Sequence, residues 1–389
     1  MDFGRFLKKR ELIELAAQLV RIPTENPPGN EKELVLFLKP LLSKMGFRVK
    51  TCVSPKGRWN IIAERRWTKD GRRFIFNGHL DVVPAGDSSQ WRHPPFSAKL
   101  EKGRIYGRGT SDMKGGIASF LHGVSMIHRS GISPSGTLLL HLVSDEESHG
   151  HQGMGYLTRK RLVDGDAALV GEPTDLDPVI AEKGALWFRI FTVGKPAHGS
   201  RPDLGVNAIE KMTKAIKLLG SSIRNTEHPL LGKATINIGT IQGGTKINVV
   251  AGGCMVEVDR RMLPGEKEEE VLRSVKETLN SIQARDPFFR YRLEEIDFAE
   301  PSEINPDEEI VKIGVEAIRE VTGKTPKIKG TSGFTDGRYY INQCRIPTLI
   351  LGPGAARQPH TTDEYVEVDA LAQAAQIYAL IVTNFLDSQ

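Results

Sequence analysis

The chain has 389 residues, 39% of them hydrophobic, which is enough to fill the cores of two or three ordinary globular domains. Its 53 basic and 48 acidic residues leave a net charge of +5 without a long Lys/Arg block, a pattern that disfavours nucleic-acid binding and allows a mild preference for small anionic substrates. Every apolar stretch is interrupted well before the roughly 18 residues that a membrane span requires. We therefore expect a globular protein with no membrane and no nucleic-acid partner.

The N-terminal segment MDFGRFLKKRELIELAAQLVRIP has the charge pattern of an amphipathic helix. It lacks the continuous apolar region and the small-residue cleavage site of a signal peptide, so we expect a cytoplasmic protein. The three cysteines, Cys52, Cys254 and Cys344, are far apart and have no C-x-x-C spacing. They predict buried free thiols, and neither a disulfide framework nor a thiolate zinc site.

Four short runs are apolar almost throughout: RFIFNG (73–78), TLLLHLV (137–143), DAALV (166–170) and IPTLILG (346–352). Continuous apolar runs are typical of strands that are covered on both faces. The segments between several of them have a helical pattern of apolar residues. This alternation predicts an α/β fold with a mostly parallel sheet.

The pattern changes between residues 183 and 295, where strand-like segments alternate polar and apolar residues and surround two amphipathic helices. One of these helices carries its apolar residues three and four positions apart, at Ile209, Met212, Ile216 and Leu219. The α/β pattern returns from residue 296, with a further helix expected over 308–320. We therefore predict an α+β domain at 183–295 that is inserted into a catalytic domain formed by 1–182 and 296–389.

Residues that can bind metals follow each of the four apolar runs. In open α/β sheets, ligands bind beyond the carboxyl ends of the strands, so we expect these residues to lie close together. They are His79 and Asp81, the acidic triplet Asp145, Glu146 and Glu147, then Glu172 and His360, with Asp112 just before a helix. Imidazole and carboxylate ligands without cysteine suit zinc, cobalt or manganese in a catalytic site. Two divalent cations would also keep the adjacent carboxylates of the triplet ionised despite their mutual repulsion.

Five motifs follow one another along the chain: GHLDVVP, GRGTSDMKGG, SDEE, VGEPT and AHGSRP. In this order they closely resemble the M20 family of metallo-aminoacyl hydrolases, especially its acetylornithine deacetylases and succinyl-diaminopimelate desuccinylases. The resemblance spans nearly the whole chain. The five motifs are specific together, whereas H-x-D or D-E-E alone would occur by chance in many proteins.

The resemblance implies two cocatalytic divalent metal ions, for which we expect zinc, with cobalt or manganese as alternatives. It implies that Asp112 bridges the two ions and that His79 and Glu172 complete one site. Glu147 and His360 would complete the other. The choice of His360 rests partly on the poorer sequence contexts of the other histidines.

The resemblance also assigns residues that do not bind metal. Glu146 would be the general acid/base. Asp81 would accept the remaining ring N–H of His79 and so determine its tautomer. A cis peptide bond after Asp112 is a further feature that the resemblance implies.

The inserted domain would contribute to the active site as well. The resemblance implies that His198 stabilises the oxyanion, often in the active site of the partner subunit, and that the inserted domain forms a homodimer. Asn248, Arg261 and Arg338 resemble family positions that hold the substrate carboxylate or the tetrahedral intermediate. Each of these three also has an ordinary interpretation, as a surface cation or a turn amide.

Several of these residues have simpler local interpretations. Asp112 could be the N-cap of the helix that follows it. Glu146 and Glu147 could begin a solvated helix, and Glu172 could shape a turn before proline. The segment YGRGTSD does not complete a G-x-G-x-x-G phosphate loop, and AHGSRP lacks a G-x-S-x-G elbow, so nucleotide binding and a serine hydrolase are disfavoured.

We therefore predict an enzyme of amino-acid biosynthesis that hydrolyses the amide bond of a small N-acyl amino acid, such as N-acetylornithine or N-succinyl-diaminopimelate. The nearest alternative is an exopeptidase of the same superfamily, either a carboxypeptidase or a dipeptidase, because the chemistry is the same and only the pocket differs. A non-catalytic binding protein on this fold is the alternative from another class.

Overall fold

The computed structural model describes residues 2–223 and 226–388, except for the side chain of Ser222. The chain divides into two compact units. The first contains the chain up to Ile180, Ile304–Lys329 and the chain from Thr335 onward, and the second contains Ala181–Glu303 and Gly330–Phe334. We predicted boundaries near 182 and 296 and expected the short segment 330–334 in the first unit.

Helices and strands are numbered in chain order over the described residues. The helices are α1 (Lys9–Arg21), α2 (Glu31–Lys44), α3 (Lys114–Ser130), α4 (Met154–Arg159), α5 (Ala208–Leu219), α6 (Glu268–Arg285), α7 (Glu309–Thr322) and α8 (Val368–Asp387). None of these helices is both long enough and apolar enough to cross a membrane.

The strands vary from two to ten residues in length. They are β1 (Arg48–Val53), β2 (Trp59–Arg66), β3 (Arg73–His79), β4 (Lys99–Glu101), β5 (Arg104–Tyr106), β6 (Thr137–Val143), β7 (Ala167–Val170), β8 (Val179–Glu182), β9 (Gly184–Val193), β10 (Glu227–His228), β11 (Gly232–Lys233), β12 (Thr235–Gly243), β13 (Gly253–Met262), β14 (Arg290–Ala299), β15 (Ser302–Glu303), β16 (Lys329–Thr331), β17 (Thr348–Ile350) and β18 (Tyr365–Glu367).

The main sheet of the first unit has the order β1-β2-β6-β3-β7-β17-β8. Its four middle strands, β6, β3, β7 and β17, are parallel to one another. Strands β1, β2 and β8 pair in the antiparallel direction. The predicted α/β class is therefore confirmed, and the parallel pairing is found in the centre of the sheet, between antiparallel flanking strands.

The middle strands are buried because apolar layers cover both of their faces. Phe74 and Phe76 point into the layer that contains α3 and α8, where the rings of Phe76 and Phe120 stack with centroids 3.8 Å apart. Ile75 points to the opposite layer, where it joins Met154 of α4. Burial of one such side chain contributes about 1.5–3 kcal/mol. Coverage on both faces explains why these strands have continuous apolar sequences.

The second unit contains an antiparallel sheet with the order β12-β13-β9-β14. Helices α5 and α6 share an apolar core with this sheet, and β9 and β13 alternate buried and half-buried residues as expected for a sheet covered on one face. Ile209, which we predicted for the apolar face of α5, is 38% exposed. The buried face instead contains Ala208, Met212, Ala215 and Leu219, and Ile209 lies about 100° away from Ala208 around the helix.

Candidate metal centre

The carboxyl ends of the parallel strands carry most of the predicted ligands. Strand β3 ends at His79, β6 is followed by the acidic triplet, and β7 is followed by Glu172. Strand β17 leads into the loop that contains His360. Because these strands are parallel neighbours, their carboxyl ends lie at the same edge of the sheet.

His79, Asp112 and Glu172 form a buried group that we call the inner triad. Nε2 of His79 lies 2.8 Å from Oδ1 of Asp112 and 3.5 Å from Oε1 of Glu172. One ligand atom from each residue lies within 4.8 Å of the other two. Metal–ligand bonds of about 2.0–2.2 Å would allow all three atoms to contact one cation.

Asp112, Glu147 and His360 form a second group, which we call the outer triad. Nε2 of His360 lies 2.9 Å from Oε2 of Glu147 and 3.7 Å from Oδ2 of Asp112. Asp112 therefore presents one carboxylate oxygen to His79 and the other to His360. This is the arrangement that a carboxylate needs in order to bridge two cations.

The two triads are strongly acidic, and their members change one another's pKa. Burial and the nearby Asp112 raise the pKa of Glu172 to about 8. Burial alone would lower the pKa of His79, but Glu172 and Asp112 raise it well above its usual value. Oε1 of Glu172 is buried and has no hydrogen-bond partner among the described residues. Crowded carboxylates with an unsatisfied oxygen fit a site whose charge is balanced by divalent cations.

Asp112 does not cap the helix that follows it. Helix α3 begins at Lys114, its N-cap residue is Met113, and no side chain caps its first turn. The carboxylate of Asp112 instead contacts His79. The Asp112–Met113 peptide bond is cis, as the resemblance implies.

Glu146 and Glu147 lie on a short 3-10 turn, Glu146–Ser148. The residues on either side, Asp145 and His149, have left-handed backbone conformations with φ of 70° and 69°. Glu146 is buried, and burial together with the nearby Glu172 raises its pKa well above the usual value. These two glutamates therefore do not begin a solvated helix.

The carboxylate of Asp81 does not contact His79 in the way we predicted. Nδ1 of His79 lies 2.9 Å from the main-chain oxygen of Asp81 and 3.9 Å from its carboxylate. The carboxylate accepts the main-chain N–H groups of Glu146 at 3.2 Å and Glu147 at 3.3 Å, and the side-chain amide of Asn26 at 2.8 Å. The first N–H groups of a turn have no partner within it, so they need such an acceptor. Asp81 thus orients the imidazole through its main chain and the glutamate turn through its side chain.

A buried arginine, which the sequence analysis did not select, supports the same turn. Arg58 donates to the carboxylate of Asp145 at 2.7 Å and to that of Glu31 at 3.0 Å, and it lies 3.8 Å from the carboxylate of Asp81. All four side chains are buried. The only sequence signal was an arginine directly before the apolar strand segment WNIIA, which is a weak one.

Arg338, which we predicted to hold the substrate carboxylate or the tetrahedral intermediate, lies among main-chain oxygens. It is 4% exposed, and its guanidinium donates to the main-chain oxygens of Thr335, at 2.9 Å, and His149. The hydroxyl of Tyr339 donates to the same oxygen of His149 at 2.8 Å. Buried carbonyl groups require donors, and this requirement turns Arg338 inward to hold the chain just after the Glu146 turn.

Asp336 is a second buried residue that the sequence analysis did not select. Its Oδ2 accepts a long hydrogen bond of 3.4 Å from the amide of Asn77, and its Oδ1 has no hydrogen-bond partner in the part of the chain that the structure describes. Burial raises the pKa of Asp336 to about 7, and its charge contributes to the raised pKa of Glu146. Asp336 lies two positions before Arg338 in the segment TSGFTDGR, from which we had chosen only the arginine.

The other three predicted residues, His198, Asn248 and Arg261, belong to the second unit. The N–H of Gly199 donates to the main-chain oxygen of Asn248 at 2.8 Å, so His198 and Asn248 lie on adjacent segments. Arg261 donates to the carboxylate of Asp259 at 3.1 Å. The roles of these three residues stay predictions.

Comparisons with known proteins identify relatives over nearly the full length. An acetylornithine deacetylase of Proteus mirabilis is 30% identical over 395 residues, which cover 97% of this chain and 98% of the relative. A succinyl-diaminopimelate desuccinylase of Roseobacter denitrificans is 28% identical over 385 residues, which cover 96% and 98% of the two chains. A solved tripeptidase of Staphylococcus aureus superposes with a TM-score of 0.82 at 25% identity, covering 98% of this chain and 100% of that chain.

The family comparison agrees with these relatives. The sequence model described as peptidase family M20/M25/M40 matches residues 75–384. The matched segment contains all members of the inner and outer triads, from His79 to His360. The resemblance seen in the five motifs is therefore confirmed, and the chain belongs to peptidase family M20/M25/M40, whose members are hydrolases of amide bonds.

Proposed function

We propose that this protein hydrolyses the amide bond between a short acyl group and an amino acid, using two divalent cations. Zinc is the expected metal, with cobalt or manganese as alternatives. The observation that carries the proposal is the sharing of Asp112 between the inner and outer triads, next to the buried Glu146. The acetylornithine deacetylase and desuccinylase names of the relatives support the choice of an N-acyl amino acid as substrate.

The reaction requires an activated water, a stabilised oxyanion and a proton for the leaving nitrogen, because an amide is a poor electrophile with a poor leaving group. Divalent cations, when bound, lower the pKa of water and polarise the carbonyl group. Glu146 takes a proton from the attacking water and then delivers it to the departing amine. Its burial beside residues of both triads places it where it can hold that proton between the two steps.

The surrounding residues orient the groups that take part. The main-chain oxygen of Asp81 accepts a hydrogen bond from Nδ1 of His79, which leaves Nε2 to face Asp112 and Glu172. The carboxylate of Asp81 holds the N–H groups of Glu146 and Glu147. Asp81 therefore has a positioning role for both a ligand and the acid/base.

We propose that the second unit supplies substrate contacts and forms a homodimer. In this proposal, His198 stabilises the oxyanion, and Asn248 and Arg261 hold the substrate carboxylate or the tetrahedral intermediate. The adjacency of His198 and Asn248 supports a shared role, and the edge strand β12 carries an exposed apolar residue, Ile241. Analytical ultracentrifugation is expected to detect a dimer, and a fully active monomer would contradict the action of His198 in a partner's site.

A second candidate function is the hydrolysis of short peptides. The solved tripeptidase of Staphylococcus aureus supports this candidate because it shares the fold over nearly all of both chains. The proposed reaction at the metal centre is the same for both candidates. Only the groups that contact the acyl and amino portions of the substrate differ.

The two candidates are separated by one set of assays. The purified protein is stripped of metal with a chelator, reloaded with zinc or cobalt, and assayed on N-acetyl and N-succinyl amino acids beside dipeptides and tripeptides. We expect the highest kcat/KM on an N-acyl amino acid, loss of activity on chelation and recovery on reloading. A higher kcat/KM on peptides would favour the exopeptidase, and the absence of any metal-dependent amide hydrolysis would contradict both candidates.

A further inference from the structure

Glu364 is a fully buried acid that belongs to neither triad. Its Oε1 accepts the main-chain N–H groups of Ser111 at 2.8 Å and Asp112 at 3.1 Å. Its Oε2 accepts the main-chain N–H of Gly109 at 3.1 Å and the guanidinium of Arg108 at 2.7 Å. These four donors satisfy both carboxylate oxygens. Glu364 is thus attached to the whole loop that ends at Asp112.

The loop can converge on this carboxylate because of a glycine. Gly109 has a φ of +86°, a conformation that residues with a side chain rarely adopt. A Cβ atom at this position would also lie 2.7 Å from Cγ1 of the buried Val82. The backbone of the loop is therefore shaped to direct its N–H groups toward Glu364.

Arg108 and Glu364 also connect this loop to the segment that follows His360. The Nη1 group of Arg108 also donates to the main-chain oxygen of Thr361 at 3.1 Å. The main-chain oxygen of Glu364 accepts the N–H of Gly107 at 2.8 Å, and β18 pairs with β5 just beyond. The segments that carry Asp112 and His360 are thereby joined by both charged and main-chain hydrogen bonds.

His360 depends on such a connection more than His79 does. The side chain of His360 is 57% exposed, whereas that of His79 is fully buried at the end of β3. Packing therefore restrains the imidazole of His79 on all sides and that of His360 on few. The position of His360 is determined mainly by its main chain and by its contacts with Glu147 and Asp112.

We propose that Glu364 and Arg108 are positioning residues that set the separation between Asp112 and His360 and so determine the affinity of the outer triad for a divalent cation. The inner triad depends less on them, because Asp112 contacts the buried His79 directly. This proposal rests on the proposed two-metal function. It concerns metal binding and makes no statement about the substrate.

The test is a titration of the metal-stripped, full-length protein with Co²⁺ alone. Calorimetry and the absorption of bound Co²⁺ measure the binding. The variants are Glu364→Gln, Arg108→Lys and the matched control Glu367→Gln. Glu367 is three residues further along the same segment and pairs with Arg104 at 2.8 Å, and both side chains are partly exposed. The variant His360→Ala identifies which binding step belongs to the outer triad.

We expect two Co²⁺ ions per wild-type chain. In Glu364→Gln, the binding step that His360→Ala assigns to the outer triad is expected to weaken about 10–100-fold, the usual cost of losing a residue that orients a ligand. The other binding step is expected to change less than about threefold. Arg108→Lys keeps the charge but loses the planar group that reaches both Glu364 and Thr361, so a smaller weakening of the same step is expected. Glu367→Gln is expected to titrate like the wild type.

The proposal is overturned if Glu364→Gln binds both ions like the wild type, or if it weakens both steps equally while its circular dichroism is unchanged. If Glu364→Gln does not fold, the Arg108→Lys variant provides the test. Unaltered binding of Co²⁺ by the outer triad in that variant overturns the proposal. A wild-type chain that binds fewer than two Co²⁺ ions contradicts the proposed two-metal function itself, which is a different result from two ions bound without any effect of Glu364.

Discussion

The inner and outer triads share Asp112 but are supported in different ways. His79 and Glu172 of the inner triad are buried and come directly from the ends of neighbouring parallel strands. Glu147 of the outer triad comes from a tight turn, and His360 comes from a loop and is mostly exposed. Strand ends are held by the sheet and by packing on both faces, whereas turns and loops depend on a few specific hydrogen bonds. We therefore expect the inner triad to be the more rigid site and to bind a cation more tightly.

The largest expected effect on turnover comes from a residue that belongs to neither triad. Glu146→Gln keeps the size of the side chain but removes its ability to accept and deliver a proton. We expect kcat to fall by about 10²–10⁴ while both cations remain bound. Steady-state kinetics and metal analysis of the same sample provide the measurement. Near-normal kcat with full metal content would exclude the proposed acid/base role.

The comparison of the triads is tested most simply by removing one histidine from each. His360→Ala is expected to weaken one bound cation by more than about 100-fold and to leave the other in place, since loss of a direct ligand costs more than loss of a residue that orients one. His79→Ala is expected to remove the tighter cation. Metal content after dialysis against a weak chelator measures both effects. If the two variants retain the same amount of metal, the two triads do not differ in their affinity for the cation.

The turn that carries Glu146 and Glu147 is expected to depend on Arg58 for stability. Arg58→Met leaves the buried carboxylates of Glu31 and Asp145 without their cation, which should lower the free energy of unfolding by about 3–5 kcal/mol. Arg66→Met, at the far end of the strand that follows Arg58, is the matched control. Its exposed pair with Glu64 is worth less than about 1 kcal/mol. Urea denaturation measures both variants, and similar small losses in the two would refute the supporting role of Arg58.

The smallest effect concerns pH and lies outside both triads. Burial lowers the pKa of His141 to about 4, so between pH 6.5 and 4 the unfolded chain binds a proton that the folded chain does not. Stability is therefore expected to decrease as the pH falls through this range, by roughly 3 kcal/mol in total from this residue. His141→Gln should have a shallower dependence. Denaturation of the metal-free protein at pH 7 and pH 4.5 measures the difference, and an unchanged dependence in the variant would disprove this assignment.

The strands and the ligand positions were predictable from the sequence because both follow from local patterns. Strand β6 coincides with the predicted run 137–143, in which five of the seven residues are apolar, as is typical of a strand covered on both faces. The rule that ligands bind beyond strand ends then indicated which distant residues should lie together, and His79 and Glu172 do. A general rule was sufficient wherever main-chain topology alone determines the position of a residue.

Side-chain directions were not predictable, because they depend on which donors and acceptors are near in three dimensions. The carboxylate of Asp81 meets the N–H groups of a turn, and Arg338 meets the oxygen of His149, and no local pattern indicates either contact. Arg58 and Glu364 were missed for a related reason. Charged residues are usually exposed, so their burial becomes visible only when their partners are known.

Anomalous X-ray scattering from crystals of the zinc-loaded protein shows whether two cations share Asp112. We expect two anomalous peaks, one in contact with His79 and Glu172, the other in contact with Glu147 and His360, with a different oxygen of Asp112 on each. A single peak at full zinc loading, or peaks that do not contact Asp112, would contradict this expectation.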